Sequence, residues 1–199
     1  MMMNKLAKEV TKDDLIPLDQ YSKERKELRK NLIDFKKNRR VHLGPYATFY
    51  FECYETMLAQ IQEMLFIEKG GDEQIKDELD AYNPLIPKGD ELVATLMFEI
   101  DNPVSRNIFL NKIGEIDKKV YLKVGSEKIA AKAEKDLERT SDDGKASSVQ
   151  FIHFFFTKKQ KEEFKNSALD VFIGINHKEY TYSTKISNLT RLALQKDFS

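Results

Sequence analysis

Between Ala47 and Tyr54 the chain alternates. Ala47, Phe49, Phe51 and Cys53 fall on one face, and Thr48, Tyr50, Glu52 and Tyr54 on the other. That period of two predicts a strand with one apolar face. The period then changes to that of a helix. Met57, Leu58, Ile61, Met64 and Leu65 share one face of a segment that opens at Glu55-Thr56 and stops at Gly70-Gly71. This is the cleanest helical signal in the chain. A narrower stripe, Ile75, Leu79 and Tyr82, predicts a second helix capped by Asp72. Asn83-Pro84 and Pro87-Lys88-Gly89-Asp90 close the region as turns. The rest of the chain is organised around this stretch, Arg39 to Asp90.

Upstream, Thr11 and Asp14 outline a capping box, and Pro17 ends the turn they open. Asp19 or Ser22 then starts a long helix to about Asn38. Its apolar stripe is Tyr21, Leu28, Leu32 and Phe35, and the rest of its surface is mostly basic. Val41 to Leu43 begins a strand that Gly44-Pro45 breaks. Downstream, Glu91 to Ile100 alternates, with Leu92, Ala94, Leu96, Phe98 and Ile100 opposite Val93, Thr95, Met97 and Glu99. Asn102-Pro103 leads into a helix whose expected inner side carries Val104, Ile108, Leu110 or Asn111, and Ile113. Residues 119–124 and 128–133 read as a hairpin about Gly125-Ser126. Ser147 to Phe156 is the most apolar strand, and Thr157 caps a short charged helix. Two last strands, 169–175 and 180–186, join at Asn176-His177-Lys178. Ser187 opens a terminal helix bearing Leu189, Leu192 and Leu194.

No strand-helix unit of constant length repeats, and several strand pairs have hairpin-length connections. The expected fold class is therefore α+β: an antiparallel or mixed sheet with helices packed on one face and a long basic N-terminal helix. A single globular domain over 1–199 is the simplest organisation, with 1–10 flexible and the apolar-poor, charged stretch 134–146 a mobile loop.

Composition narrows the chemistry. The chain has 199 residues, and its 33 acidic residues balance 33 basic ones, so no global field favours nucleic acid or membrane. Cys53 is the single cysteine, which excludes an intrachain disulfide and a thiolate metal cluster. The opening MMMNKLAKEV lacks the apolar core of a secretory signal, and a cytoplasmic location is expected. Phosphate-loop, dinucleotide-binding, nucleophile-elbow and zinc-protease motifs do not occur.

The candidate chemistry lies within Arg39 to Asn83. His42 follows the Arg39-Arg40 pair and precedes the Gly-Pro break, a setting for acid-base or ligand work. Glu52 lies on the polar strand face, Glu55 opens the helix, and Gln60, Gln62 and Glu63 follow. Close carboxylates among Glu52, Glu55 and Glu63 would bind a metal or divide acid and base roles with His42. The plainer alternative is a solvated helix face with one buried Glu paired to Arg39 or Arg40. His153 reads as a satisfied sheet histidine, His177 as an exposed turn residue, and Cys53 as an inert buried thiol. A third reading places RNA phosphates on the basic first helix.

The strings TKDDLIPLDQY, RRVHLGPYATFYFE, ETMLAQIQEML and ELDAYNPLIPKGDELVATLMFEI, with the later VYLKVG, SSVQFIHFFFT and FIGINHKEYTY, carry a resemblance over nearly the whole chain. It resembles the bacterial domain-of-unknown-function family number 3501. By position, the resemblance implies that the characteristic polar residues are Arg40, His42, Glu52, Glu55, Gln60, Gln62, Glu63, Asp80, Tyr82 and Asn83. It also implies a role alongside an iron-sulfur or rubrerythrin-type redox protein, in oxidative-stress defence. The expected function is thus an accessory or binding protein. Its ligand-binding candidates are Arg40, His42, Glu52, Glu55, Gln60, Glu63, Tyr82 and Asn83; neither a metal site nor a cofactor is assigned.

Overall fold

A computed structural model describes residues 8–134 and 144–198. The stretches expected to be flexible, 1–10 and 134–146, lie outside the described residues over 1–7 and 135–143.

The architecture is α+β, with two antiparallel sheets among the described residues. The first sheet has the order β1-β2-β3-β7-β6, built from Arg40–Leu43 (β1), Ala47–Glu52 (β2), Glu91–Phe98 (β3), Val149–Phe155 (β7) and Lys132–Ala133 (β6). The second has the order β5-β4-β8-β9, from Glu127–Ala130 (β5), Val120–Val124 (β4), Val171–His177 (β8) and Tyr180–Lys185 (β9). The chain crosses between sheets at Ala131, where β5 ends and β6 begins.

The alternation in β2 and β3 decides the layering. Phe49, Phe51, Leu92 and Leu96 point inward and meet Leu122, Ile173 and Ile175 of the second sheet in the main core. Thr48, Tyr50, Glu52, Thr95 and Met97 therefore occupy the outer face of the first sheet. Helices Tyr54–Glu68 (α2) and Gly71–Tyr82 (α3) cover part of that face. Met57, Ile61 and Leu65 of α2 pack there with Val10, Leu85, Ile86 and Val93 in a second apolar cluster. Helix Leu18–Lys36 (α1) rests on α2: Tyr21 meets Phe66 edge-on at 5.6 Å, and the Arg25 guanidinium lies 5.0 Å over the same ring.

Several local expectations need correction. The second helix is capped by Gly70, whose N–H donates to Gln74 Oε1 at 2.7 Å, rather than by Asp72. The preceding helix ends at Lys69, which itself takes the left-handed conformation with φ 55°. Val10, in the stretch expected to be flexible, is buried and held by Asn83. In Pro103–Lys112 (α4), Val104 and Ile108 face solvent, because the helix docks by its C-terminal end through Phe109, Leu110 and the following Ile113. In Asn188–Leu194 (α6), Leu189 and Leu192 are exposed while Arg191 turns inward. Arg191 donates to the carbonyls of Glu163, Phe164 and Asn166, closing the end of Lys158–Lys165 (α5). These donors add to the backbone N–H groups of Asn166 and Leu169, which reach the Glu163 and Asn166 carbonyls at this helix end. His177 is buried, at 8% exposure, because β8 continues through it and the turn is Lys178-Glu179.

Candidate functional site

The outer face of the first sheet is only partly covered. Beside α2 it leaves a cleft of 260 Å³, lined by Tyr50, Glu52, Gln60, Tyr82, Thr95 and Phe151, with Met57, Met97 and Lys36 completing its walls. Each wall has a simple origin. Tyr50 and Glu52 are alternate residues of β2. Thr95 and Met97 are alternate residues of β3, and the register pairs Tyr50 with Thr95. Phe151 of β7 lies opposite Thr95 on the other side. Gln60 projects from α2, and Tyr82 ends α3. The amide of Gln60 donates to the Tyr82 hydroxyl at 3.3 Å.

Glu52 is the most deeply buried charged group of the cleft, at 4% exposure. Thr95 donates its hydroxyl to one carboxylate oxygen at 2.7 Å, and Thr56 to the other at 2.7 Å. Among the described residues no Lys, Arg or His forms an ion pair with this carboxylate. The alternative that paired a buried Glu with Arg39 does not describe Glu52. Arg39 instead donates to the backbone carbonyl of Glu52 at 3.0 Å and forms its ion pair with Asp197. A carboxylate offers about four acceptor positions, and two hydroxyls leave about two unused.

A chain of polar groups runs along the rim. His42 Nδ1 lies 2.9 Å from Thr48 Oγ1, Thr48 donates to Glu99 at 2.5 Å, and Tyr50 donates to the other Glu99 oxygen at 2.8 Å. Since the Thr48 hydrogen goes to Glu99, it is His42 Nδ1 that donates to Thr48 Oγ1. Arg40 stands across from Tyr50 in the register. Through Tyr50 this rim touches the cleft.

The candidates named from sequence therefore separate. Glu52, Gln60 and Tyr82 line the cleft, and Arg40 and His42 belong to its rim. His42 and Glu52 do not form one site: His42 sits opposite Thr48, and four residues of strand, about 13 Å, separate Thr48 from Glu52. Glu55 is exposed at the start of α2, near Cys53. Burial pushes the Cys53 thiol up to about 12, so it stays protonated. Gln62 and Asn83 are fasteners for the N-terminal segment, bonded to the backbone of Ile16 and Val10. Asp80 is exposed.

Glu63 faces α1. It accepts from Arg25 Nη2 at 2.5 Å, from Arg25 Nε at 3.0 Å, and from the Tyr21 hydroxyl at 2.7 Å. The Arg25 hydrogen bonds, followed by that of Tyr21, hold its carboxyl down to about 2, against the opposing effect of burial. Its ordinary value is 4.5, so the folded state is favoured above that pH, and the contribution disappears as pH falls from 4.5 through about 2. Glu63→Gln is expected to lower stability at neutral pH by about 1–2 kcal/mol. Urea unfolding across a pH series should show the gap between variant and wild type closing over that acidic window.

Thr56, Thr95, Met97, Phe151, Glu99 and Lys36 were not among the sequence candidates. Thr95 and Met97 were readable as sharing one face of β3; which strand they adjoin was not. Among the described residues no three His, Cys, Asp or Glu side chains gather as metal ligands would, and no helix is long and apolar enough to cross a membrane.

No curated protein matches the chain. A crystal structure at 1.90 Å resolution of a novel protein of unknown function from Burkholderia pseudomallei K96243 is similar to it. The two share 35% sequence identity and a TM-score of 0.89, over 96% of this chain and 99% of the other. With residues 9–198 matched by the family's sequence profile, the chain belongs to the family described as Protein of unknown function (DUF3501).

Proposed function

We propose that this chain is a binding protein for a small molecule, held in the cleft between the outer face of the first sheet and the α2–α3 pair. One observation carries this reading. Glu52 is buried, hydrogen-bonded by two hydroxyls and without a cationic partner among the described residues, and it lines an open 260 Å³ cleft walled by Tyr and Phe rings and Met side chains. Burying a carboxylate without a countercharge is unfavourable, and a position that keeps one beside a cleft favours a ligand that supplies the missing partner.

The test is thermal melting of wild type and of Met97→Trp, which fills the cleft, against a library of small metabolites. A ligand at a hundred times its Kd adds about 2.7 kcal/mol, or about 5 °C or more in Tm for a chain of this size. Wild type should respond to a ligand that Met97→Trp ignores. No response from wild type, or an equal response from both, contradicts the reading.

We extend the proposal to an accessory role beside an iron-sulfur or rubrerythrin-type redox protein, as the family resemblance implies. Cys53, 5% exposed and protonated, suits an accessory better than a carrier of the cluster. Calorimetric titration with a purified rubrerythrin-type protein tests that extension, and absence of binding removes it.

A further inference from the structure

The charges lining the cleft specify more than a generic ligand. Several basic groups of α1 and of the turn after it are matched elsewhere. Glu63 takes Arg25 and Arg29, Asp34 takes Lys37, and Asp197 takes Arg39. Two opposite charges that line the cleft have no such match among the described residues: Glu52, deep on the sheet, and Lys36, in the last turn of α1. They line one cavity yet do not form an ion pair with each other. The Lys36 ammonium instead lies 5.9 Å from the centre of the Tyr50 ring. Between the two charges the walls are aromatic or thioether: Tyr50, Tyr82, Phe151, Met57 and Met97.

Resting on the reading of the cleft as a ligand site, we propose that its ligand is a small zwitterion of the amino-acid type. Its ammonium group meets Glu52, its carboxylate faces Lys36, and its apolar part lies against the rings and methionines. The aromatic faces add to the attraction for the ammonium, and the two separated charges set the ligand's direction. The cleft volume of 260 Å³ has room for a free amino acid with a medium-sized apolar side chain. L-Leucine is of that size. Charge complementarity at both ends rejects simple amines and simple acids, each of which leaves one lining charge unmatched.

Calorimetric titration with three forms of each probe tests this. The probes are L-leucine, L-methionine and L-phenylalanine; the forms are the free amino acid, the amide (cation alone) and the N-acetyl derivative (anion alone). The free amino acid should bind best. Glu52→Gln should weaken the free amino acid and the amide about 30-fold and leave the N-acetyl form unchanged. Lys36→Met should weaken the free amino acid about two- to fivefold and leave the amide unchanged. Melting of each variant confirms that it is folded. Binding that Met97→Trp abolishes, but that is equal for all three forms or strongest for the N-acetyl form, overturns the zwitterion while the cleft reading stands. Binding that ignores Met97→Trp overturns both. Absence of binding by every probe overturns the zwitterion and leaves the cleft to be judged by the metabolite library.

Discussion

Arg39→Leu should destabilise the protein by about 3–5 kcal/mol, the largest loss expected from any single polar substitution here. Arg39 follows α1 directly and is 3% exposed. Its guanidinium donates to the carbonyls of Phe51 and Glu52 at the end of β2, each at 3.0 Å, to the Ala193 carbonyl at 3.3 Å, and to Asp197. One planar fork thus ties the first sheet to the C-terminal helix. Removing it leaves buried carbonyls without donors and a buried Asp197 without its countercharge. Lys cannot replace it, because a single ammonium does not reach acceptors spread around a fork. Urea unfolding should show the midpoint falling with an unchanged slope, and Tm should fall by about 10 °C. A loss below about 1 kcal/mol would show that the fork is dispensable. The double variant Arg39→Leu/Asp197→Leu should lose less than the two single changes added together, because it leaves no orphaned charge.

Tyr180→Phe is the second large effect, about 3 kcal/mol from one oxygen atom. The Tyr180 ring is buried where the two sheets meet, against Phe98 at 5.9 Å and Phe109 at 5.6 Å. Its hydroxyl donates to the Leu43 carbonyl at 2.5 Å and accepts from the backbone N–H groups of Tyr46 and Ala47, at 3.1 and 3.0 Å. It therefore closes the β1–β2 turn from the neighbouring sheet. Phe keeps the apolar packing but leaves three backbone groups of that turn without this partner. Gly44 belongs to the same construction: it has φ +62°, and a Cβ there would lie 2.8 Å from the Tyr180 hydroxyl. Hydrogen exchange should show amides 46 and 47 losing protection well before the core of β3 does. Unchanged protection and an unchanged Tm would contradict this role.

How much of this was legible in the sequence depends on range. The alternation of β2 and β3 and the helical stripe of α2 are local, and they placed Phe49 on an apolar face, Thr95 on the face opposite Leu96 and Met57 in an apolar stripe. The fold class followed from the irregular order of strands and helices and from the hairpin-length connections. Errors arose where tertiary contacts override local pattern. Val104, Ile108, Leu189 and Leu192 look like inner stripes, but their short helices dock by one end or by an inward Arg. His177 looks like a turn residue until the register with Tyr180 extends the strand through it. The division into two sheets depends on which strands pair, and periodicity carries no such information. The cleft was legible by half. Glu52, Gln60 and Tyr82 stand on a readable polar face or at a readable helix end. Thr95 joins Glu52 only through the β2–β3 register, 43 positions apart in the chain, and Lys36 only through the docking of α1. Glu63 looked equivalent to Glu52 in sequence, but the helix turns it toward Arg25.

Methionine-methyl NMR tests the central claim most directly. Met57 and Met97 line the cleft, whereas Met64, on the same helix as Met57, does not. Titration of methyl-labelled protein with L-leucine, or with whichever compound melting identifies, should shift the Met57 and Met97 signals together while leaving Met64 in place. Shifts at Met64 alone, or binding seen by calorimetry with Met57 and Met97 unmoved, would contradict the cleft as the binding site.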